Sequence, residues 1–253
     1  MIEYTLVSNP GLKRNENQDS ICLNSKIYAN ANVFKSGILF KKQLKFGVFD
    51  GVGGLEKGDV ASKESAKYLS EKVKLTGEIN RIDMVNLVQK LNNNLVSIQN
   101  DLKAYKMMTT LIIGYLCNNT LNVINVGDSR GYYYNGETLK KISVDDTYRN
   151  KLLKERKYSI EEINQMDVTH IITNSLGVKN FDKNKAHTFS INLSKNDIII
   201  VMSDGVSDLI KEKEFVKLFN EKKTTKSISK EIESIVLKRG AHDNYSFIVF
   251  KTK

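Results

Sequence analysis

The sequence predicts an α+β fold in which two mostly antiparallel β-sheets form a sandwich and helices flank the outer faces. Three observations carry the prediction. Short apolar segments recur between Asn or Gly turns, successive strands are joined by few residues, and the helical patterns are grouped instead of alternating with strands. Consecutive hairpins imply antiparallel pairing, and grouped helices imply layers that cover a sheet.

The first half of the chain combines a strand with two helices. Residues 44–49 predict a strand that ends at Asp50, and residues 59–75 predict a helix. A second helix is marked by one apolar stripe whose members are Met84, Val88, Leu91, Leu95, Ile98 and Leu102. Spacings of three and four residues place these side chains on one face, which suits packing against a sheet.

Two hairpins follow. Residues 110–117 and 121–126 flank Asn118-Asn119, and residues 131–134 and 138–142 flank Asn135-Gly136. Asn-Gly between apolar segments favours a type I′ turn, because both central residues then need a positive φ. The later elements are a helix-compatible segment at 151–166, strands at 188–193 and 197–202, helices at 214–220 and 227–238, and a final strand at 245–250.

Length and composition favour one domain. The chain has 253 residues, is 40% hydrophobic and contains a single proline, so no proline-rich linker divides residues 1–253. Neither a signal peptide nor a membrane span is predicted, and the chain is expected to be a cytoplasmic monomer without membrane contact. Cys22 and Cys117 lie in predicted strands and are expected to be buried free thiols.

The formal net charge of +10 leaves two interpretations. One is a nucleic-acid binder; the other is a lysine-rich surface. The lysines are spread along the chain, and no basic cluster is paired with stacking aromatic residues. We therefore expect no nucleic-acid partner, and only a modest preference for acidic or phosphorylated proteins.

Aspartates in a shared setting indicate a metal centre. Asp50, Asp128 and Asp204 each follow an apolar strand beside glycine or small residues, and Asp243 precedes the last strand. Mg²⁺ and Mn²⁺ prefer oxygen ligands and need few carboxylates. A single Asp-Gly after a strand is ordinarily only a turn, but four such positions together with Asp19 favour a cation site.

At these residues the chain resembles the type 2C metal-dependent serine/threonine protein phosphatases, in their bacterial form. The resemblance covers almost the whole sequence and keeps the family's motif order. The motifs are Arg14-Asn-Glu-Asn17-Gln18-Asp19, Asp50-Gly51-Val52-Gly53-Gly54, Thr109-Thr110, Gly127-Asp128-Ser129-Arg130, Asn174-Ser175-Leu176-Gly177, Ser203-Asp204-Gly205 and Asp243-Asn244.

The resemblance implies two core Mn²⁺ or Mg²⁺ ions and a third, weaker one. Asp50 would bridge the core ions, and the Gly51 carbonyl would bind one of them. The metal ligands that it implies are Asp19, Asp50, Gly51, Asp128, Asp204 and Asp243. Asp19 would act through metal-bound water, and Asp128 would join Asp204 at the third ion.

The implied reaction is hydrolysis of phosphoserine and phosphothreonine in proteins, by direct attack of a water held between the two ions. Arg14, Asp50 and Asp204 would be the catalytic residues. Arg14 would also bind the substrate phosphate, because its planar fork matches two phosphate oxygens. The substrates would be those of a serine/threonine kinase. Alternatives are a catalytically inactive binding module and a phosphatase dedicated to one regulatory phosphoprotein.

Three positions depart from the family pattern. Gln18 replaces the usual Glu, Val52 stands where eukaryotic members carry a histidine proposed as general acid, and Met108 replaces a frequent glycine. We expect Gln18 at most to weaken metal affinity. With Val52, the leaving group would take its proton from water.

Residues 142–172 occupy the place of the family's flap beside the active site. The basic residues of this segment are Arg149, Lys151, Lys154, Arg156 and Lys157. They form either a solvated helix face or a basic rim that attracts phosphopeptides. Among the histidines, His170 and His187 are expected in ordinary surface or core positions, whereas His242 could tune Asp243.

Overall fold

A computed structural model of the chain describes residues 1–40, 43–52, 57–74, 76–166 and 171–253. Within these ranges the chain forms twelve strands and seven α-helices, and the strands make two six-stranded antiparallel sheets. The predicted α+β sandwich is confirmed. Gly53, Gly54, the predicted helix end at Leu75, His170 and part of the flap segment lie outside the described residues.

The two sheets pack face to face. In sheet order, and numbered along the chain, the first contains β4 (Val33–Leu39), β1 (Ile2–Asn9), β12 (Tyr245–Thr252), β11 (Ile198–Met202), β8 (Arg130–Tyr134) and β9 (Leu139–Lys141). The second contains β10 (His187–Asn192), β7 (Thr120–Val126), β6 (Leu111–Cys117), β5 (Gln43–Asp50), β2 (Asp19–Leu23) and β3 (Lys26–Ala29). Between them lies an apolar layer in which the Phe46 and Phe250 rings are 4.5 Å apart.

Helices cover both outer faces. On the second sheet lie α1 (Gly58–Glu71) and α2 (Arg81–Leu102), and on the first lie α6 (Glu212–Glu221) and α7 (Thr225–Lys238). The apolar stripe predicted for α2 is largely buried, and Asn80 begins that helix by accepting hydrogen bonds from the backbone N–H groups of Ile82 and Asp83. The remaining helices are α3 (Tyr148–Glu155), α4 (Ile160–Gln165) and α5 (Asp204–Ser207).

Several predicted boundaries were wrong. The first helix ends at Glu71, so Val73 is not helical. Residues 151–166 form no single helix: α3 ends where Arg156 takes a positive φ of 54°, and Ser159 caps the separate α4. The strands β10 and β11 follow each other in sequence but lie in different sheets.

The second hairpin exists, but its type I′ turn does not. Tyr134 pairs with Leu139, so residues 135–138 form the connection. Gly136 has a φ of 97°, whereas Asn135 is not in the positive-φ region. The Asn135 side chain instead accepts hydrogen bonds from the backbone N–H groups of Glu137 and Thr138, at 3.0 and 2.8 Å. This Asx-type turn stabilises a longer loop without a left-handed asparagine.

Two further features concern the thiols and the helices. Cys22 and Cys117 are free and buried, as predicted. Within the described ranges, none of the helices combines the length and the apolar content needed to cross a membrane; even the 22-residue α2 is amphipathic.

Candidate active site

The register of the second sheet brings two of the predicted metal ligands together. Asp19 is the first residue of β2, Asp50 is the last residue of β5, and the two are direct cross-strand partners. Asp19 is fully buried, so the N-terminal polar stretch that contains it ends inside the sandwich. The site therefore begins at the end of the sheet where β5 finishes and β2 starts.

The Thr109-Thr110 pair fixes the backbone of Asp50. The Asp50 carbonyl accepts hydrogen bonds from the Thr109 hydroxyl at 2.7 Å and from the Thr110 backbone N–H at 2.8 Å. The next residue, Gly51, is in close contact with other backbone: a Cβ there would lie 2.3 Å from the Gly58 carbonyl oxygen. Only glycine fits this position without displacing the chain beside Asp50.

The first sheet contributes the opposite side of the site. Asp204 lies two residues after the end of β11, and Asp243 lies two residues before β12. Between β11 and Asp204, the Ser203 hydroxyl donates a 2.8 Å hydrogen bond to Oδ2 of Asp19. This bond links the two sheets at the site, and it fixes the orientation of the Asp19 carboxyl group.

Asn244 fastens the N-terminal loop to the Asp243 loop. Its Nδ2 donates to the carbonyl oxygens of Pro10 and Glu16, and its Oδ1 accepts from the backbone N–H of Gln18. A single buried side chain therefore holds the segment that carries Arg14 against the segment that carries Asp243.

Arg14 binds one of the predicted metal ligands. Its Nε lies 2.9 Å from Oδ1 of Asp243 and its Nη2 lies 2.7 Å from Oδ2, a two-point contact. The family resemblance implies that Arg14 binds the substrate phosphate and that Asp243 binds a metal ion. The structure joins these two residues in one partly exposed ion pair.

Asp128 lies at the turn between β7 and β8. It is 8% exposed, and its Oδ1 has no hydrogen-bond partner among the described residues. Nearby, Arg130 donates to Asp145 at 2.9 Å and to the Ser207 carbonyl, and its Nη2 lies 3.8 Å from Asp208. Arg130 therefore anchors the rim of the site instead of neutralising Asp128.

Burial and mutual repulsion raise the pKa of four of these carboxyl groups. Burial is the larger cause throughout: it raises the pKa of Asp19 to about 7 and, with the Asp204 charge, that of Asp128 to about 8. Burial with the charges of Asp208 and Asp243 raises the pKa of Asp204 to about 6. The pKa of Asp50, which hydrogen-bonds to Asp204, also lies well above its usual value.

These carboxyl groups fit divalent cations. Oδ1 of both Asp19 and Asp128 is buried without a hydrogen-bond partner in the described structure, and buried like charges are costly unless a cation compensates them. Hard cations take oxygen ligands of this kind. In the described part of the chain no three acidic, His or Cys side chains form a finished ligand set, and Asp243 is turned to Arg14.

A cleft of about 480 Å³ opens over the site. The side chains that line it come from the ends of both sheets and from the first turn of α3, and they are Asp128, Arg130, Asp145, Thr147, Arg149, Asn150, Asp204, Asp208 and Asp243. Arg14, Asp19 and Asp50 do not line it: Asp19 is fully buried, and Arg14 is bound to Asp243.

The roles of three residues at the site were not predicted from the sequence. Ser203 orients Asp19, Asp145 binds Arg130, and Asp208 faces the cleft. A spacing of four residues on a helix would have placed Asp208 beside Asp204. His187 was expected in an ordinary surface or core position. It is half-buried, and its Nε2 lies 2.8 Å from Oδ1 of Asp146. Neither described histidine lines the cleft.

Proteins of similar sequence include known phosphatases. The serine/threonine phosphatase stp of Listeria monocytogenes is 27% identical over 211 residues, which are 80% of this chain and 82% of that protein. Protein phosphatase PhpP of Streptococcus pneumoniae is 28% identical over 217 residues, 83% of this chain and 80% of PhpP.

Solved structures share the fold. The serine/threonine phosphatase Stp1 from Staphylococcus aureus superimposes with a TM-score of 0.83 at 24% identity, covering 100% of this chain and 96% of Stp1. A family model, described as protein phosphatase 2C, matches residues 39–237 of this chain. That match takes in most of the sequence, including Asp50, Asp128 and Asp204 with their surrounding motifs, and the chain belongs to the protein phosphatase 2C family.

Proposed function

We propose that this protein is a metal-dependent phosphatase that removes phosphate from phosphoserine and phosphothreonine in proteins. The observation that carries the proposal is the group of aspartates at one end of the sandwich, where the buried Oδ1 atoms of Asp19 and Asp128 have no hydrogen-bond partner among the described residues. The relatives named as serine/threonine or protein phosphatases supply the substrate class. Phosphoproteins made by a serine/threonine kinase are the proposed substrates.

The proposed cofactors are Mn²⁺ or Mg²⁺, with two core ions and a third at the rim. Asp50, the Gly51 carbonyl, Asp204 and Asp243 would hold the core ions, and Asp19 would act through water. Asp128 with Asp204 would hold the third. When bound, such ions polarise the phosphoryl oxygens and supply a water nucleophile near neutral pH.

The chain's own residues prepare this site. Ser203 and the Thr109-Thr110 pair hold Asp19 and Asp50 in place, so little reorganisation is needed when a substrate arrives. Arg14 lies at the edge of the site with a fork that matches two oxygens of a phosphate as well as those of Asp243. Because Val52 follows Gly51 and neither described histidine lines the cleft, water is the proposed proton source for the leaving group.

Metal removal tests the proposal. Release of inorganic phosphate from a phosphothreonine peptide should require added Mn²⁺ or Mg²⁺ and stop in EDTA, because the aspartates are the catalytic apparatus. Asp50→Ala, Asp204→Ala and Asp243→Ala should each abolish turnover. Asp101→Ala, which removes an exposed carboxylate on α2, is the matched control and should keep the wild-type rate. Full activity of metal-stripped protein would refute the metal-dependent mechanism.

A further inference from the structure

A second groove lies beside the catalytic cleft, on the other side of α3. Its volume is about 700 Å³. Thr147, Lys151 and Lys154 form the wall on the α3 side, and Asn174, Lys185 and His187 face them. Nothing in the proposed chemistry uses this groove.

The groove and the catalytic cleft meet around the first turn of α3. Asp145, Thr147 and Asn150 line both of them. Arg149 lines the cleft, whereas Lys151 and Lys154, three residues apart and so on one helix face, line the groove. A polypeptide whose phosphorylated residue enters the cleft can therefore continue into the groove.

Each carboxylate that lines the groove already lies beside a basic side chain. Asp145 binds Arg130 at 2.9 Å and lies 2.6 Å from the Lys141 ammonium, and Asp146 binds His187 at 2.8 Å. Glu155 lies 3.8 Å from Lys157.

The lysines of the groove differ from its acids. In the part of the chain that the structure describes, no ion pair is formed by Lys151, Lys154 or Lys185. All three side chains are exposed, and the Lys151 ammonium lies over the Tyr148 ring, 5.6 Å from its centroid. The groove therefore presents three lysine ammonium groups that have no ion-pair partner among the described residues.

The walls are held in place before any ligand arrives. The Asn150 side chain donates to the Asp145 carbonyl at 2.8 Å, and the Tyr148 backbone N–H donates to Ile171 at 2.8 Å. On the opposite wall, His187 begins β10, which pairs along its length with β7. A preformed groove loses less entropy on binding than a flexible one.

We propose that this groove binds an acidic segment of the phosphoprotein, next to the phosphorylated residue. The inference rests on the proposed function, which places the phosphorylated residue in the cleft. Three lysines in a concave site complement Asp and Glu side chains and speed their encounter. Nucleic acid fits less well, because none of the described residues that line the groove is a Phe, Tyr or Trp on which bases could stack.

Kinetics on matched substrates test the inference. Two phosphothreonine peptides carry acidic residues, one before and the other after the phosphothreonine. A third peptide has Gln in place of the acidic residues, and the fourth substrate is p-nitrophenyl phosphate. With metal present, the wild type should prefer one acidic peptide. Lys151→Glu combined with Lys154→Glu should lower kcat/KM for that peptide about tenfold, because repulsion replaces attraction. The Gln peptide and p-nitrophenyl phosphate should change less than about twofold.

Two more variants separate the groove from general effects. Lys226→Glu with Lys230→Glu makes the same charge change on exposed positions of α7, away from the groove, and should keep the preference. Lys185→Glu alters the opposite wall and should reduce the preference for the acidic peptide without changing α3. Salt well above 0.1 M, where screening acts within about 10 Å, should also weaken it.

The outcomes are distinguishable. Equal wild-type rates on the acidic and Gln peptides would show that the groove binds no acidic segment. An equal loss on all substrates in the Lys151→Glu, Lys154→Glu variant would show the same. In both cases metal-dependent hydrolysis of p-nitrophenyl phosphate would continue. If the wild type with Mn²⁺ or Mg²⁺ hydrolysed none of the substrates, the proposed function itself would fail, and the inference with it.

Discussion

Arg14 and Asp243 illustrate how one residue pair can serve two chemistries. Their side chains are 47% and 41% exposed, so water screens the ion pair and it contributes little to stability. A weak pair exchanges partners readily, so the proposed cation would take Asp243 and leave the Arg14 fork open to a phosphate.

Replacing Arg14 should separate these roles. We expect Arg14→Ala to raise KM for a phosphothreonine peptide about tenfold, the loss expected for a charge-assisted contact of about 1.4 kcal/mol. Calorimetric Mn²⁺ binding should not weaken, because the substitution removes a cation that competes for Asp243. Arg14→Lys keeps the charge but loses the fork, and it should recover only part of the loss. Wild-type kinetics for Arg14→Ala would mean that the residue has no part in phosphate binding.

At the scale of elements, the strand ends were predictable because their chemistry is local. An apolar strand followed by Asp and a glycine or other small residue identified Asp50, Asp128 and Asp204, and the structure brings them to one end of the sandwich. The strand β1 was not predicted. Its apolar pattern is interrupted by Thr5 and Ser8, which are buried and hydrogen-bonded to residues far away in sequence. Such partners cannot be inferred from local patterns.

The turn between β7 and β8 sets the position of Asp128 through Gly127. Gly127 has a φ of +95°, and a Cβ there would lie 2.6 Å from the Thr110 side chain. Gly136, in the loop between β8 and β9, has nearly the same φ of +97°, but no atom lies within 4 Å of the corresponding position. The two glycines differ in crowding and hardly at all in backbone strain.

Alanine at these two positions should therefore have unequal effects. Gly136→Ala should cost about 1 kcal/mol of unfolding free energy, from the positive φ alone. Gly127→Ala should cost about 3 kcal/mol, because overpacking against Thr110 is added. Only Gly127→Ala should lower phosphatase activity, since it moves Asp128. Urea denaturation and phosphopeptide kinetics measure both effects, and equal costs for the two variants would show that the contact with Thr110 is easily relieved.

At the scale of the whole molecule, the site holds the two sheets together and also strains them. The Ser203–Asp19 hydrogen bond joins the sheets, whereas the buried carboxyl groups around it repel one another when ionised. Family motifs predicted the aspartates that gather around Asp50, but not Asp145 or Asp208 at the cleft. They could not predict that Arg14 turns to Asp243, because that contact depends on how the Asn244 side chain positions two distant loops.

The repulsion predicts how metal-free protein responds to pH. Folding raises the pKa of Asp204 to about 6, of Asp19 to about 7 and of Asp128 to about 8, all above the unfolded value of 3.8. Groups shifted in this direction favour the folded state at pH below about 4, and that contribution is lost as the pH rises through about 6 to 8. The melting temperature of the protein in EDTA should therefore fall as the pH rises from about 4 to about 8.

Asp50→Asn isolates this effect, because it removes one charge from the centre of the group. In EDTA at pH 8 the variant should melt roughly 5 °C above the wild type, as expected for a gain of about 1–2 kcal/mol in a chain of this size. At pH 4, where the carboxyl groups are protonated in both proteins, the difference in melting temperature should vanish.

Added Mn²⁺ should raise the wild-type melting temperature at pH 8 far more than that of the variant, since ligand binding stabilises only the folded state. Asp101→Asn should follow the wild type throughout, and a wild-type melting temperature that rose from pH 5 to 8 in EDTA would contradict a repulsive carboxylate group.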